Sequence, residues 1–124
     1  MNYKNPAHAT IYKNYLTKSR CKFSNRTLAG IFLLSSDRDV WKRAKDAIDD
    51  KTILFDQIDH NDLSNYGYAL LSIAKDICEK TTHINVYDLS DPYLISNKTL
   101  DLIFSAIEIA RKGYPATGVK RDFR

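Results

Sequence analysis

Apolar residues recur along this chain mostly with the period of an α-helix. Ile11, Tyr12, Tyr15 and Leu16 predict a first helix over about 7–18, with Pro6 at its start, where a missing N–H costs little. A second helix is expected over 24–35, with Ser24 as N-cap and Phe23 and Leu28 spaced as a hydrophobic staple. Leu28, Ala29, Ile31, Phe32, Leu33 and Leu34 leave it almost no polar face, so it belongs at the centre of the fold. Gly30 weakens this helix slightly but lets a neighbour approach closely. The polar run "SSDRD" interrupts the period, and Ser36 or Asp37 can cap a third helix. That helix sets Val40, Trp41, Ala44, Ala47 and Ile48 on one face and Lys42, Arg43, Lys45 and Asp46 on the other.

Beyond residue 48 the period fades. Ile53, Leu54, Phe55 and Ile58 suggest a short helix or turn within an irregular acidic stretch over 49–62. Leu63, Tyr66, Leu70, Ile73, Ala74, Ile77 and Cys78 share one face and predict a helix over 62–79. Residues 80–95 read as a long connection in which "INVYDL" alternates weakly, as an extended segment would, and Pro92 excludes a helix running through it. The last helix, 97–112, carries two apolar stripes, one of Leu100, Ile103, Phe104, Ile107 and Ala110 and one of Leu102, Ala106 and Ile109. Two stripes predict burial on two sides. Ser96 or Asn97 caps its start, and Gly113 followed by Pro115 ends it. The expected fold is an all-α compact bundle of five or six helices, a single domain over 1–112. A basic, flexible tail is expected over 113–124.

Composition changes this picture little. A chain of 124 residues, 44% of them hydrophobic, can bury a core as one domain. Two cysteines without CxxC spacing, an N-terminus without an apolar signal region, and a longest apolar run of only Ile31–Leu34 point to a cytoplasmic protein that does not enter a membrane.

Charge changes it more. Residues 1–36 contain Lys4, Lys13, Lys18, Arg20, Lys22 and Arg26 and no acid, and residues 37–110 are predominantly acidic. Residues 111–124 are basic again. The basic ends either face nucleic acid or an acidic protein, or fold back on the acidic middle.

Little in the sequence carries chemistry. His8, His60 and His83 have no metal-ligand spacing, and no nucleophile elbow, P-loop or dinucleotide motif occurs. Asp56, Asp59 and Asp62 recur every third residue. They read as turn formers first and as carboxylates for a metal-dependent hydrolase only third in rank. Cys78 belongs to a core face, and Cys21, between Arg20 and Lys22, is a thiol whose pKa would fall if exposed. No catalytic residue, cofactor or metal ligand is expected. A helix-turn-helix over 28–48 is disfavoured, because Asp37 and Asp39 would repel phosphate at the end that enters the groove.

"RTLAGIFLLSSDRDVW", with Arg26, Leu28, Ile31, Phe32, Leu33, Ser35, Asp37 and Trp41, is similar to a segment of a small helical family of unknown function from Gram-positive bacteria and their phages. "ALLSIAKDIC" and "VYDLSDPYLISNKTLDLIFSAIEIA" resemble the layout of that family's second half, so the resemblance spans about residues 8–112. It implies an accessory protein of a mobile element that binds one host macromolecule, and it offers no catalytic residue. The expectation is therefore a non-enzymatic binding protein. It would block a host bacterial protein or nucleoprotein complex sterically, as an anti-CRISPR counter-defence protein blocks a nuclease. The alternative is a helical DNA- or RNA-binding regulator. Expected partner contacts are Lys13, Lys18, Arg20, Lys22, Lys42 and Arg43 as basic groups, with Tyr87 and Tyr93 as aromatic anchors. The oligomeric state is left open, a homodimer included.

Overall fold

The computed structural model describes residues 2–19 and 23–113. Among them are six α-helices and no strand. They are α1 Pro6–Lys18, α2 Asn25–Leu34, α3 Arg38–Ala44, α4 Asn65–Glu79, α5 Val86–Leu89 and α6 Asn97–Lys112. Single 3₁₀ turns lie at Lys45–Ala47 and Phe55–Gln57. The basic tail, 114–124, lies outside the described residues.

Polar side chains set where the helices begin. Asn5, Ser24, Asp37, Ser64 and Ser96 each accept a backbone N–H three residues on, which satisfies a donor that the first turn cannot. Helix α2 buries Thr27 and everything from Ala29 to Leu34, and it packs chiefly against α4 and α6. It is the central helix its composition predicts. Gly30 is where α4 comes closest: a Cβ built there would lie 2.5 Å from Cys78 Sγ and 2.9 Å from Ile53 Cδ1. No side chain fits without displacing one of them.

Helix α1 covers the same core from another side. Its Tyr12 is fully buried and donates its hydroxyl to the Leu28 carbonyl at 2.9 Å. Tyr15 meets Trp41 edge-on, with ring centroids 5.2 Å apart, and so brings α1 beside α3. After α3 the chain forms one antiparallel bridge between Ile48 and Ile53. The turn between them is closed by Asp49, whose carboxylate accepts the Lys51 and Thr52 amides at 2.8 Å each.

Three expectations change. Helix α4 starts at Asn65 and not at 62, because Asp62 adopts a left-handed backbone (φ 59°) and the Ser64 hydroxyl supplies the cap. "INVYDL" is not extended. Asn85 and Asp88 exchange side chain-to-backbone bonds in a capping box, and this reciprocal cap fixes the single turn of α5. The two stripes of α6 are not both covered. Leu102, Ala106 and Ile109 are buried together with Ile103, whereas Phe104 is 55% and Ile107 37% exposed.

Candidate functional site

The expected basic contacts divide by location. Lys18 is exposed in the last turn of α1, where it complements the helix dipole. Lys13, also exposed, holds its ammonium 5.5 Å from the centre of the Tyr3 ring. Lys42 is exposed on α3. Arg20 and Lys22 lie outside the described residues, as does Cys21.

Arg43 is half-buried and committed inside the protein. Its Nε donates to Asp39 Oδ1 at 3.2 Å, and its terminal nitrogen donates to the carbonyls of Asp59 (2.9 Å) and Asn61 (2.7 Å). The side chain ties the 59–61 turn to α3. The Asp39–Arg43 spacing is the helical i,i+4 pair, which was visible in the sequence. The carbonyl contacts were not, since they depend on where the turn folds.

Asp56, Asp59 and Asp62 do not converge. Asp59 accepts the Asn61 amide at 3.0 Å, and Asp62 occupies the left-handed position of the turn. Among the described residues no three His, Cys, Asp or Glu side chains gather closely enough to hold a metal ion. Cys78 is half-buried and donates its thiol to the Arg26 carbonyl at 3.3 Å. Burial, assisted by Glu79, pushes its pKa up to about 12, so it carries no thiolate at neutral pH.

Tyr87 and Tyr93 are strongly exposed, at 79% and 98%. Their sequence neighbours Val86, at 80%, and Leu94, at 44%, are exposed as well, and sequence periodicity did not single them out. The segment beneath them is firmly built. Ile95 is buried, and Ile84 and Leu89 are half-buried against the core. Asp91 organises the turn around Tyr93: its carboxylate accepts the Tyr93 amide at 3.0 Å, and its carbonyl accepts those of Leu94 (3.1 Å) and Ile95 (2.9 Å). At the other end, Asp76 of α4 accepts the amides of His83 (2.8 Å) and Ile84 (2.7 Å) and the hydroxyl of Thr81 (2.6 Å). Partial burial raises the Asp76 pKa, but these hydrogen bonds outweigh it and leave the carboxyl below its usual range.

A second exposed apolar feature lies on α6. Phe104 and Ile107, three residues apart, line a shallow groove with Asp101, Glu108, Arg111 and Lys112. Asn2 closes one edge through its backbone N–H, which donates to Ser105 Oγ at 2.8 Å.

The helix-turn-helix geometry is equally defined. Ser35 and Ser36 turn inward and donate their hydroxyls to the Phe32 (3.1 Å) and Leu33 (2.6 Å) carbonyls. The α3 N-terminus therefore presents Asp37 and Asp39, with Asp37 accepting the Val40 amide at 3.0 Å. No family model, no curated protein and no solved structure matches the chain. Among the described residues no helix is long and apolar enough to cross a membrane.

Proposed function

We propose that this chain is a non-enzymatic binding protein that engages a protein partner through Tyr87 and Tyr93. One observation carries the reading: two almost fully exposed tyrosines stand on a turn whose backbone is fixed by Asp76, Asp91 and a capping box. Exposed aromatic groups are the side chains most often responsible for binding energy at interfaces. A turn already ordered in the free protein loses little entropy on association. The resemblance to mobile-element proteins supports a finer form of the same proposal. In it the partner is a host bacterial protein or nucleoprotein complex, and the bound chain inhibits it by steric blocking.

A photo-reactive residue at position 93, introduced into the chain and irradiated in a Gram-positive host extract, tests this reading. A single discrete adduct that position 50 does not give is the expected result. Equal labelling from both positions would refute it.

The Tyr15–Trp41 contact favours a second reading, because it brings the end of α1, with exposed Lys18, towards α3, with exposed Lys42. These two lysines could meet phosphate. Each phosphate neutralised adds about 0.9 to the salt slope of binding to duplex DNA. Two lysines acting this way predict a slope of about −2 in a fluorescence-anisotropy titration. Substitution of both by Glu would abolish the binding. No binding to duplex or single strands at moderate salt eliminates this reading.

A further inference from the structure

Helix α4 presents Tyr68, Ser72 and Lys75 along one side, at the spacing that aligns them. Phe55, Asp56, Ile58 and His60 line the same space, as does His83, just beyond α4. Together they enclose a cleft of about 240 Å³, floored by the apolar side chains of Phe55, Ile58 and Leu71. Its polar groups are preset. His60 packs edge-on against Tyr68, with ring centroids 6.0 Å apart. The His83 ring is held through Nδ1, 2.8 Å from Asp76 Oδ1, which leaves Nε2 as its nitrogen for the cleft. Ser72 and Lys75 make no side-chain hydrogen bond or ion pair to another described residue, although both line the cleft and both are half-buried.

An apolar floor with a few convergent polar groups is the usual form of a small-ligand site. Its volume is below the range of about 300–1,000 Å³ typical of drug-sized pockets, so the ligand is small. The converging groups are an ammonium, two imidazoles and two hydroxyls. Lys75, His60 and the two hydroxyls can donate, as can Nε2 of His83 when its ring is protonated, since the Nδ1 hydrogen is held by Asp76; together these hydrogens exceed what the two oxygens of a carboxylate would accept. Three terminal oxygens suit them better, and charge-assisted bonds to such oxygens are the strong ones. We propose that this cleft binds a phosphate monoester carried on a small flat apolar group. The phosphate meets Lys75, His60 and His83, and the apolar group lies on Phe55 and Ile58. Asp56 also lines the cleft. Its carboxylate opposes the anion and lowers the affinity. The cleft shares the Asp76–His83 support with the segment beneath Tyr87 and Tyr93 but not their exposed side chains, and it does not rest on that reading.

The test is a titration of the full, isotopically labelled chain with phenyl phosphate at fixed ionic strength, followed by amide and imidazole NMR shifts. The expected result is saturable binding, with shifts confined to residues 55–60, 68–75 and 83. Lys75→Met, which keeps most of the aliphatic stem, weakens binding at least tenfold without changing the thermal midpoint. Asp56→Asn tightens it. Three results overturn the proposal: phenol binding as tightly as phenyl phosphate, shifts that do not saturate or that spread over the surface lysines, and an unchanged affinity in Lys75→Met.

Discussion

Lowering the pH from 7 should destabilise this protein through one buried imidazole. His8 is 2% exposed, set against Phe32 and Tyr3 with ring centroids 4.7 and 5.3 Å away. The Lys4 amide donates to its Nδ1 at 3.0 Å, so Nδ1 carries no proton. Nε2 therefore holds the hydrogen and donates it to the Phe32 carbonyl at 2.8 Å. A second proton on Nδ1 would face the Lys4 N–H in a buried site. Burial, with a smaller contribution from the Lys4 charge, pushes the pKa from 6.5 down to about 4, and the Phe32 carbonyl only partly opposes this. Between these two values the unfolded chain binds the proton and the folded chain does not, so stability falls as pH falls. It is fully present above 6.5, and the loss is complete near 4. At 1.36 kcal/mol per pH unit the total is about 3 kcal/mol, a large part of the stability of a small domain. Urea unfolding at a series of pH values between 7 and 4.5, followed through the single tryptophan, Trp41, measures it. His8→Gln keeps a donor for the Phe32 carbonyl and cannot titrate. Its stability should be lower at pH 7 but nearly flat down to pH 4.5. A flat profile in the wild type, or the wild-type slope retained in His8→Gln, refutes the reasoning.

Other substitutions test the remaining supports. Gly30→Ala places a methyl against Cys78 Sγ and Ile53 Cδ1 and should cost about 1–3 kcal/mol by chemical denaturation, with part restored by Cys78→Ala in the double variant. Arg43→Ala removes the two bonds that hold the Asp59 and Asn61 carbonyls and should cost about 1–3 kcal/mol. Because those acceptors are carbonyls, most of the loss should persist at high salt, and only the small share from the exposed Asp39 pair should be screened. Asp76→Asn should release the 81–84 segment, seen as faster hydrogen exchange at His83 and Ile84 with helix α2 still protected. The depressed Asp76 pKa adds stability above its ordinary value of 3.8 that is lost as pH falls below it, a window beneath that of His8.

The parts of the fold that were legible were those decided within a few residues. Ser24, Asp37 and Ser96 announce helix starts because a cap needs only its own first turn. Helix α2 could be placed at the centre because a helix apolar all round has nowhere else to go. Gly30 marked a close approach for the same local reason. The misses were matters of tertiary surroundings. Phe104 and Ile107 follow a perfect core period, and only the absence of a neighbour on that side of α6 among the described residues leaves them exposed. His8 looks like an isolated polar residue until Phe32 and Lys4 supply its two hydrogen bonds. Arg43 was expected to face a partner, and the carbonyls it holds come from a turn sixteen to eighteen residues away. Val86 to Leu89 was a different kind of miss. Weak alternation outweighed the Asn85–Asp88 pair, although its three-residue spacing was open to view. For the candidate site, Tyr87 and Tyr93 were named from their place in a loop. The rigidity beneath them depends on Asp76, which comes from the helix before.

The central claim is that Tyr87 and Tyr93 form a recognition surface. Its most direct test is the affinity for the partner trapped at position 93, measured by calorimetry with wild-type protein and with the Tyr87→Ala/Tyr93→Ala double variant. Both side chains stand in solvent, so their removal should leave the unfolding free energy within about 0.5 kcal/mol of wild type. If each contributes as an interface anchor of more than about 1 kcal/mol, the double variant should bind at least thirtyfold more weakly. An unchanged dissociation constant in a variant of wild-type stability would contradict the account.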